Sequence, residues 1–157
     1  MVTYTVQEFL RRGNVAYSVF QHKPAFTAQE EAAVTHVPGR NWAKAVVCFA
    51  DGEPIMAVVP ADREVDLDRL AELARAHEVR LADESELRWL YPDCELGAMP
   101  PFGPLYKQPV FVDDMLSRDD EIVFNAGTHT DAVCMRYADF AALARPTIGR
   151  FTARVLV

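Results

Sequence analysis

The run "AKAVVCFADGEPIMAVVP" constrains the fold more than any other part of the chain. Two β-rich stretches flank Asp51-Gly52, a dipeptide suited to the tight turn between antiparallel strands. A hairpin is therefore expected here.

The rest of the chain reads as helices and strands in groups. Thr5-x-x-Glu8 is a capping box that opens a short helix closed by Gly13, and "VAYSVF" alternates like a strand. Thr27-x-x-Glu30 is a second capping box, at the head of the helix "AQEEAAVTHV". Asp66 caps "LDRLAELARA", "EVRLA" is a short strand, and "ESELRWLY" is an acidic helix. "PVFVDD", "EIVFNAG" and "TDAVCMR" are strand candidates joined by tight turns, "ADFAALAR" is a helix, and "GRFTARVLV" is a last strand. Strands outnumber helices and come in groups, so an α+β fold with a mixed sheet fits better than a doubly wound one.

With 157 residues and no repeat or linker, the chain is expected to form a single domain spanning residues 1–157. No export signal is seen, and the longest apolar runs are too short to cross a bilayer, so a cytoplasmic protein is expected. Cys48, Cys94 and Cys134 form no CxxC pair; they read as buried free thiols, with a catalytic thiol as the lesser alternative. The net charge of −7 argues against a general nucleic-acid binder. Residues 61–95, however, carry eleven acids against five bases, whereas residues 1–50 and 122–157 are each +2, so most of the negative charge lies in one middle segment.

Catalytic signatures such as GxSxG, a Walker loop, HExxH and GxGxxG are missing, and the four histidines never fall at metal-ligand spacing. Neither a metal nor a cofactor is expected. One lysine and two loops remain. Lys44 stands at the entrance of an apolar strand, either as a strand-end lysine with its head in water or as a fixed cation at a pocket mouth. "ELGAMPPFGPL", residues 95–105, reads as a rigid, exposed backbone, either a connector or a wall that presents main-chain groups. "FNAGTHTDAV" is a hairpin turn that also offers backbone N–H groups, two hydroxyls and an imidazole.

Lys44 before an apolar strand, then "GAMPPFG", then "NAGTHT", together with "YSVFQHKPAFTAQEEA" near the start, resemble the YbaK/prolyl-tRNA-synthetase-associated domain family over roughly residues 5–145. The resemblance implies a mixed, barrel-like sheet surrounded by short helices. It also implies hydrolysis of the ester that joins a wrong amino acid to a tRNA. Carried over position by position, Lys44, Gly97 and His129 are the implied catalytic residues. Gly127, Thr128, Tyr17 and Thr27 are implied at the substrate, with Pro100 and Pro101 in the loop that faces it. Met99 and Phe102 belong either to the pocket or to the core.

An aminoacyl ester is already activated, so backbone donors, one lysine and a positioned water suffice, which accounts for the missing Ser-His-Asp set. A rigid loop suits a size filter, and the expected substrate is a small residue, alanine ahead of serine or cysteine, on a tRNA such as that for proline. The expected partners are the tRNA acceptor end and an aminoacyl-tRNA synthetase, with no membrane. The competing readings are a non-catalytic module that binds the aminoacyl or tRNA end, and a hydrolase of another small aminoacyl ester.

Overall fold

A computed structural model describes residues 4–23 and 41–154. The hairpin predicted at Asp51-Gly52 is present: β2 (Trp42–Ala50) pairs antiparallel with β3 (Glu53–Pro60), with φ of 48° at Asp51 and 84° at Gly52. Asp51 also organises the next element. Its carboxylate accepts the amides of His77 and Glu78 at 3.0 Å each, which aligns β5 (Val79–Leu81) along the end of β2.

The remaining elements follow in chain order. Before the hairpin come α1 (Tyr4–Gly13) and β1 (Tyr17–Gln21). After it come β4 (Arg63–Val65), α2 (Leu67–Ala74) and α3 (Glu84–Leu90). A 3-10 turn (Gly103–Tyr106) leads to β6 (Val110–Asp113), α4 (Asp114–Ser117), β7 (Glu121–Asn125) and β8 (Asp131–Arg136). The described chain ends with α5 (Tyr137–Ala144), β9 (Thr147–Gly149) and β10 (Thr152–Arg154). Asp66 caps α2 as its sequence predicts, and Asp83 with Glu86 forms a reciprocal capping box on α3.

Several expectations need correction. Thr5 lies inside α1, which already includes Tyr4, so the Thr5–Glu8 pair does not open that helix. Of the last predicted strand, "GRFTARVLV", Gly149 ends β9, Arg150 and Phe151 lie between strands, and Thr152–Arg154 forms β10, which pairs with β4, while residues 155–157 lie outside the described residues. The sheet is mixed, in the order β1-β8-β7-β2-β3-β6-β9 with β5 also on β2, so β1 and β9 lie at opposite ends and the described sheet is open rather than closed into a barrel. The capping box at Thr27 and the helix after it lie outside the described residues.

Alternation along β3 divides the core. Met56 and Val58 face a cluster built with α1, α5 and the 3-10 turn, while Ile55, Ala57 and Val59 face a second cluster with Leu70 of α2 and Phe151. A strand buried on both faces reads as a continuous apolar run, which is how "PIMAVVP" appears.

Candidate active site

After α3 the chain enters the predicted exposed ribbon, residues 95–105. Gly97 and Glu95 are exposed, but Ala98, Met99, Pro100, Pro101, Phe102 and Gly103 are all buried. Phe102 is fully buried, with ring centroids 5.0 Å from Phe9, 5.3 Å from Phe124 and 5.7 Å from Phe140. Burying such a ring contributes about 2–3 kcal/mol. The prolines explain why a loop can go inside: they carry no N–H, so their burial strands no donor. Met99 and Phe102 therefore resolve as core, and they anchor the loop from beneath.

The loop is tied to the β7–β8 turn. Gly127 N–H donates to the Ala98 carbonyl at 2.9 Å, and Glu95 N–H donates to the Gly127 carbonyl at 2.8 Å. His129, only 4% exposed, adds two more links. Its amide donates to the Glu95 carboxylate at 3.0 Å, and its ring meets the Leu96 carbonyl at 2.6 Å. A carbonyl oxygen only accepts, so Nε2 carries the proton in that bond. The imidazole is thus a latch on the peptide that precedes Gly97. In a trans peptide the carbonyl and the following N–H point in opposite directions, so holding the Leu96 carbonyl turns the Gly97 N–H away from His129. Among the described residues no acceptor takes that N–H. Gly97 has φ of 85°, a conformation that a side chain would strain.

Thr128 works inside the turn. Its hydroxyl donates to Asp131 Oδ2 at 2.6 Å and accepts the Asp131 amide at 3.1 Å, which fixes the turn rather than presenting a free hydroxyl.

Lys44 lies on β2 where the sheet divides. On the edge away from β3, β2 pairs with β7 only at Trp42 and Ala43, and with β5 only from Cys48 to Ala50. The parallel register brings Asn125 to the level of Lys44, just before the turn with Gly127 and His129. Asn125 is 8% exposed, and sequence reasoning passed over it as the end of a strand. Lys44 is half-buried, and burial pushes its ammonium below the ordinary lysine range, opposed by the charges of Glu64 and Asp62. Among the described residues it forms no hydrogen bond or ion pair.

Not every predicted residue joins this group. Ala43 and Ala45 face the cluster that holds Phe102, and Lys44, between them, projects from the opposite side. Tyr17 packs on the Ala43 side and lines a 440 Å³ cleft against α1, so the structure separates it from Lys44. Thr27 is outside the described residues. Burial pushes the Cys48 thiol up to about 11 and that of Cys94 up to about 12, and Cys94 Sγ lies 3.4 Å from the Tyr106 hydroxyl. Both stay protonated at neutral pH and are poor nucleophiles. Among the described residues no helix is long and apolar enough to cross a membrane.

A family model for the aminoacyl-tRNA editing domain matches residues 22–143. The multifunctional Ser/Thr-tRNA deacylase ProXp-y of Escherichia coli K12 is 35% identical over 114 residues, covering 69% of this chain and 68% of that protein. A proline–tRNA ligase of Dehalococcoides mccartyi is 29% identical over 73% of this chain, which spans only 19% of the ligase. Among solved structures, the hypothetical protein APE2540 superposes with a TM-score of 0.85 at 19% identity, covering 95% of this chain and 99% of that one. A candidate trans-editing enzyme for prolyl tRNA synthetase superposes at 0.79 with 21% identity and 95% coverage of both chains. The two superpositions establish the fold, and the sequence matches establish descent: the chain belongs to the aminoacyl-tRNA editing domain family.

Proposed function

We propose that this chain is a trans-acting deacylase that hydrolyses the ester between a small misattached amino acid and a tRNA, with the tRNA for proline as the first candidate. The observation that carries this reading is the tie between the two loops. Among the described residues it leaves the Gly97 N–H without an acceptor, on an exposed residue held against the turn that follows β7.

Water adds to the ester carbonyl, the Gly97 N–H stabilises the oxyanion that develops, and the ester C–O bond breaks. The proton from water goes to the ribose oxygen, and the products are a free amino acid and an uncharged tRNA. One such donor is worth roughly 10²–10³ in rate. Lys44, held in place by β2, supplies the cation that receives the negatively charged tRNA end. Pro100 and Pro101, buried and stiff, back the loop and limit the room for the amino acid. The name of the E. coli relative favours serine over the alanine that loop rigidity alone suggested.

The test is a deacylation panel of seryl-, alanyl- and cysteinyl-tRNA for proline with the wild-type chain and Lys44→Ala. Release of one amino acid by the wild type and its near-complete loss in the variant are expected. Full turnover by Lys44→Ala would refute the mechanism, and tight binding without any turnover would leave a binding module in its place.

A further inference from the structure

The ribbon of β4 and β10 separates two chemically different surfaces. Glu64 and Asp62 act on the Lys44 ammonium. Arg63 adjoins Glu64 on β4 and so projects from the opposite face. Its Nε donates to Thr152 Oγ1 at 2.6 Å and its Nη2 to the Thr152 carbonyl at 3.1 Å. That side opens into a cleft of about 350 Å³ whose lining includes Arg63, Arg69, Arg118, Arg150, Asp113 and Asp114.

The charges in the cleft do not cancel. Asp113, 2% exposed, accepts the amides of Met115 and Phe151, both at 3.3 Å. Asp114 Oδ2 accepts from Arg118 at 2.9 Å and Arg150 at 3.2 Å, so one carboxylate serves two guanidinium groups. Arg63 has no carboxylate within ion-pair distance among the described residues, and the rest of its donor fork has no protein acceptor there. Arg69 also pairs with Asp66 at 3.7 Å, so four arginines meet three aspartates and the cleft is left at +1 in a chain of net charge −7. A neighbouring opening of about 450 Å³ shares Arg69 and Arg150 and adds Glu72, so the arginine-lined surface continues as a groove that carries one further acid.

We infer that this arginine groove holds phosphates of the RNA strand whose aminoacylated end is delivered to Lys44 and Gly97 across the ribbon. The inference rests on the deacylase reading above and names its second contact with the substrate. Guanidinium forks match phosphate oxygens two at a time. Cations spread along two joined openings suit a chain of phosphodiesters better than one compact anion. None of these arginines stands next to another in sequence, and Arg63 and Arg69 lie within the acidic segment 61–95, which is why no basic run marks the groove.

Arg69 and Arg118, whose side chains are 60% and 63% exposed, can both be changed to glutamine with little risk to the fold. Arg63→Gln is a second variant. Seryl-tRNA for proline and 3′-O-seryl-adenosine, which has no phosphate, are the paired substrates, and binding of uncharged tRNA is titrated against salt. The expected result is a KM for seryl-tRNA raised about tenfold with kcat little changed, and a salt slope flatter by about 0.7–0.9 for each phosphate that is no longer neutralised. Turnover of seryl-adenosine reports an intact active site. An unchanged KM and slope would overturn the inference. So would an equal loss on both substrates, which would make the arginines supports of the fold. Calorimetric binding of inorganic phosphate that tRNA cannot displace would also overturn it, by assigning the groove to a small anion. Should the wild type deacylate neither substrate, the deacylase reading falls, while the salt slope of tRNA binding still decides the groove.

Discussion

Removing the His129 ring is the sharpest perturbation of the proposed site, because we propose that the ring serves as a latch rather than a proton carrier. In His129→Ala the Leu96 carbonyl loses its 2.6 Å donor, while the amide bond to Glu95 survives because it comes from the backbone. Stranding this part-buried carbonyl costs about 1 kcal/mol, the low end for an unsatisfied group. The peptide it belongs to also carries the Gly97 N–H, so a freed carbonyl lets that donor rotate, and the loss of one oxyanion donor lowers kcat by roughly 10²–10³. Glutamine can place an N–H near the same carbonyl, so His129→Gln should recover a large part of both losses. The measurements are urea unfolding and single-turnover deacylation of seryl-tRNA for the wild type and both variants, with rates followed across pH. A latch predicts that glutamine rescues and that the shape of the pH profile is the same in wild type and His129→Gln. If glutamine is as inactive as alanine, and the acid limb of the wild-type profile disappears with it, His129 transfers protons and the latch argument is wrong.

Two further outcomes follow from the geometry. Burial lowers the Lys44 pKa and Glu64 opposes that shift, so Glu64→Gln lowers it further. The ammonium is then lost at lower pH, and the alkaline limb of deacylation, corrected with Lys44→Ala as background, moves to lower pH while the rate below it is unchanged. Stability follows the same sign: the cost of burying a charged lysine is present at low pH and fades as pH rises through the lowered pKa. A limb that stays put or moves upward contradicts this. Gly103→Ala sets a Cβ 2.3 Å from the Gln108 carbonyl oxygen and 2.5 Å from Val110 Cγ2, where the chain passes close to itself. A loss of about 3 kcal/mol in urea unfolding is expected. Wild-type stability in that variant would show that the loop has slack.

Local chemistry was legible. The Asp51-Gly52 turn and the Asp66 cap each depend on a few adjacent residues, and each appears where its sequence pattern lies. The long-range choices were not. β4 and β10 are three residues each and signal little alone; they exist because they pair with one another. The loop at 95–105 looked exposed because prolines and glycines usually are. Phe102 and Met99 reversed that, since three aromatic rings from α1, β7 and α5 were waiting at a distance no local pattern records.

Sequence alone determined the family, the mixed α+β class and the identity of the two loops with Lys44, because these rest on residue types in a fixed order. Tertiary structure decided where those residues sit and what they touch. It made His129 a clasp, sent Tyr17 and Lys44 to opposite faces of the sheet, and gathered Arg63, Arg69, Arg118 and Arg150 into one groove. The reason is physical: the side on which a residue projects depends on strand register, and register is settled by what packs on each face.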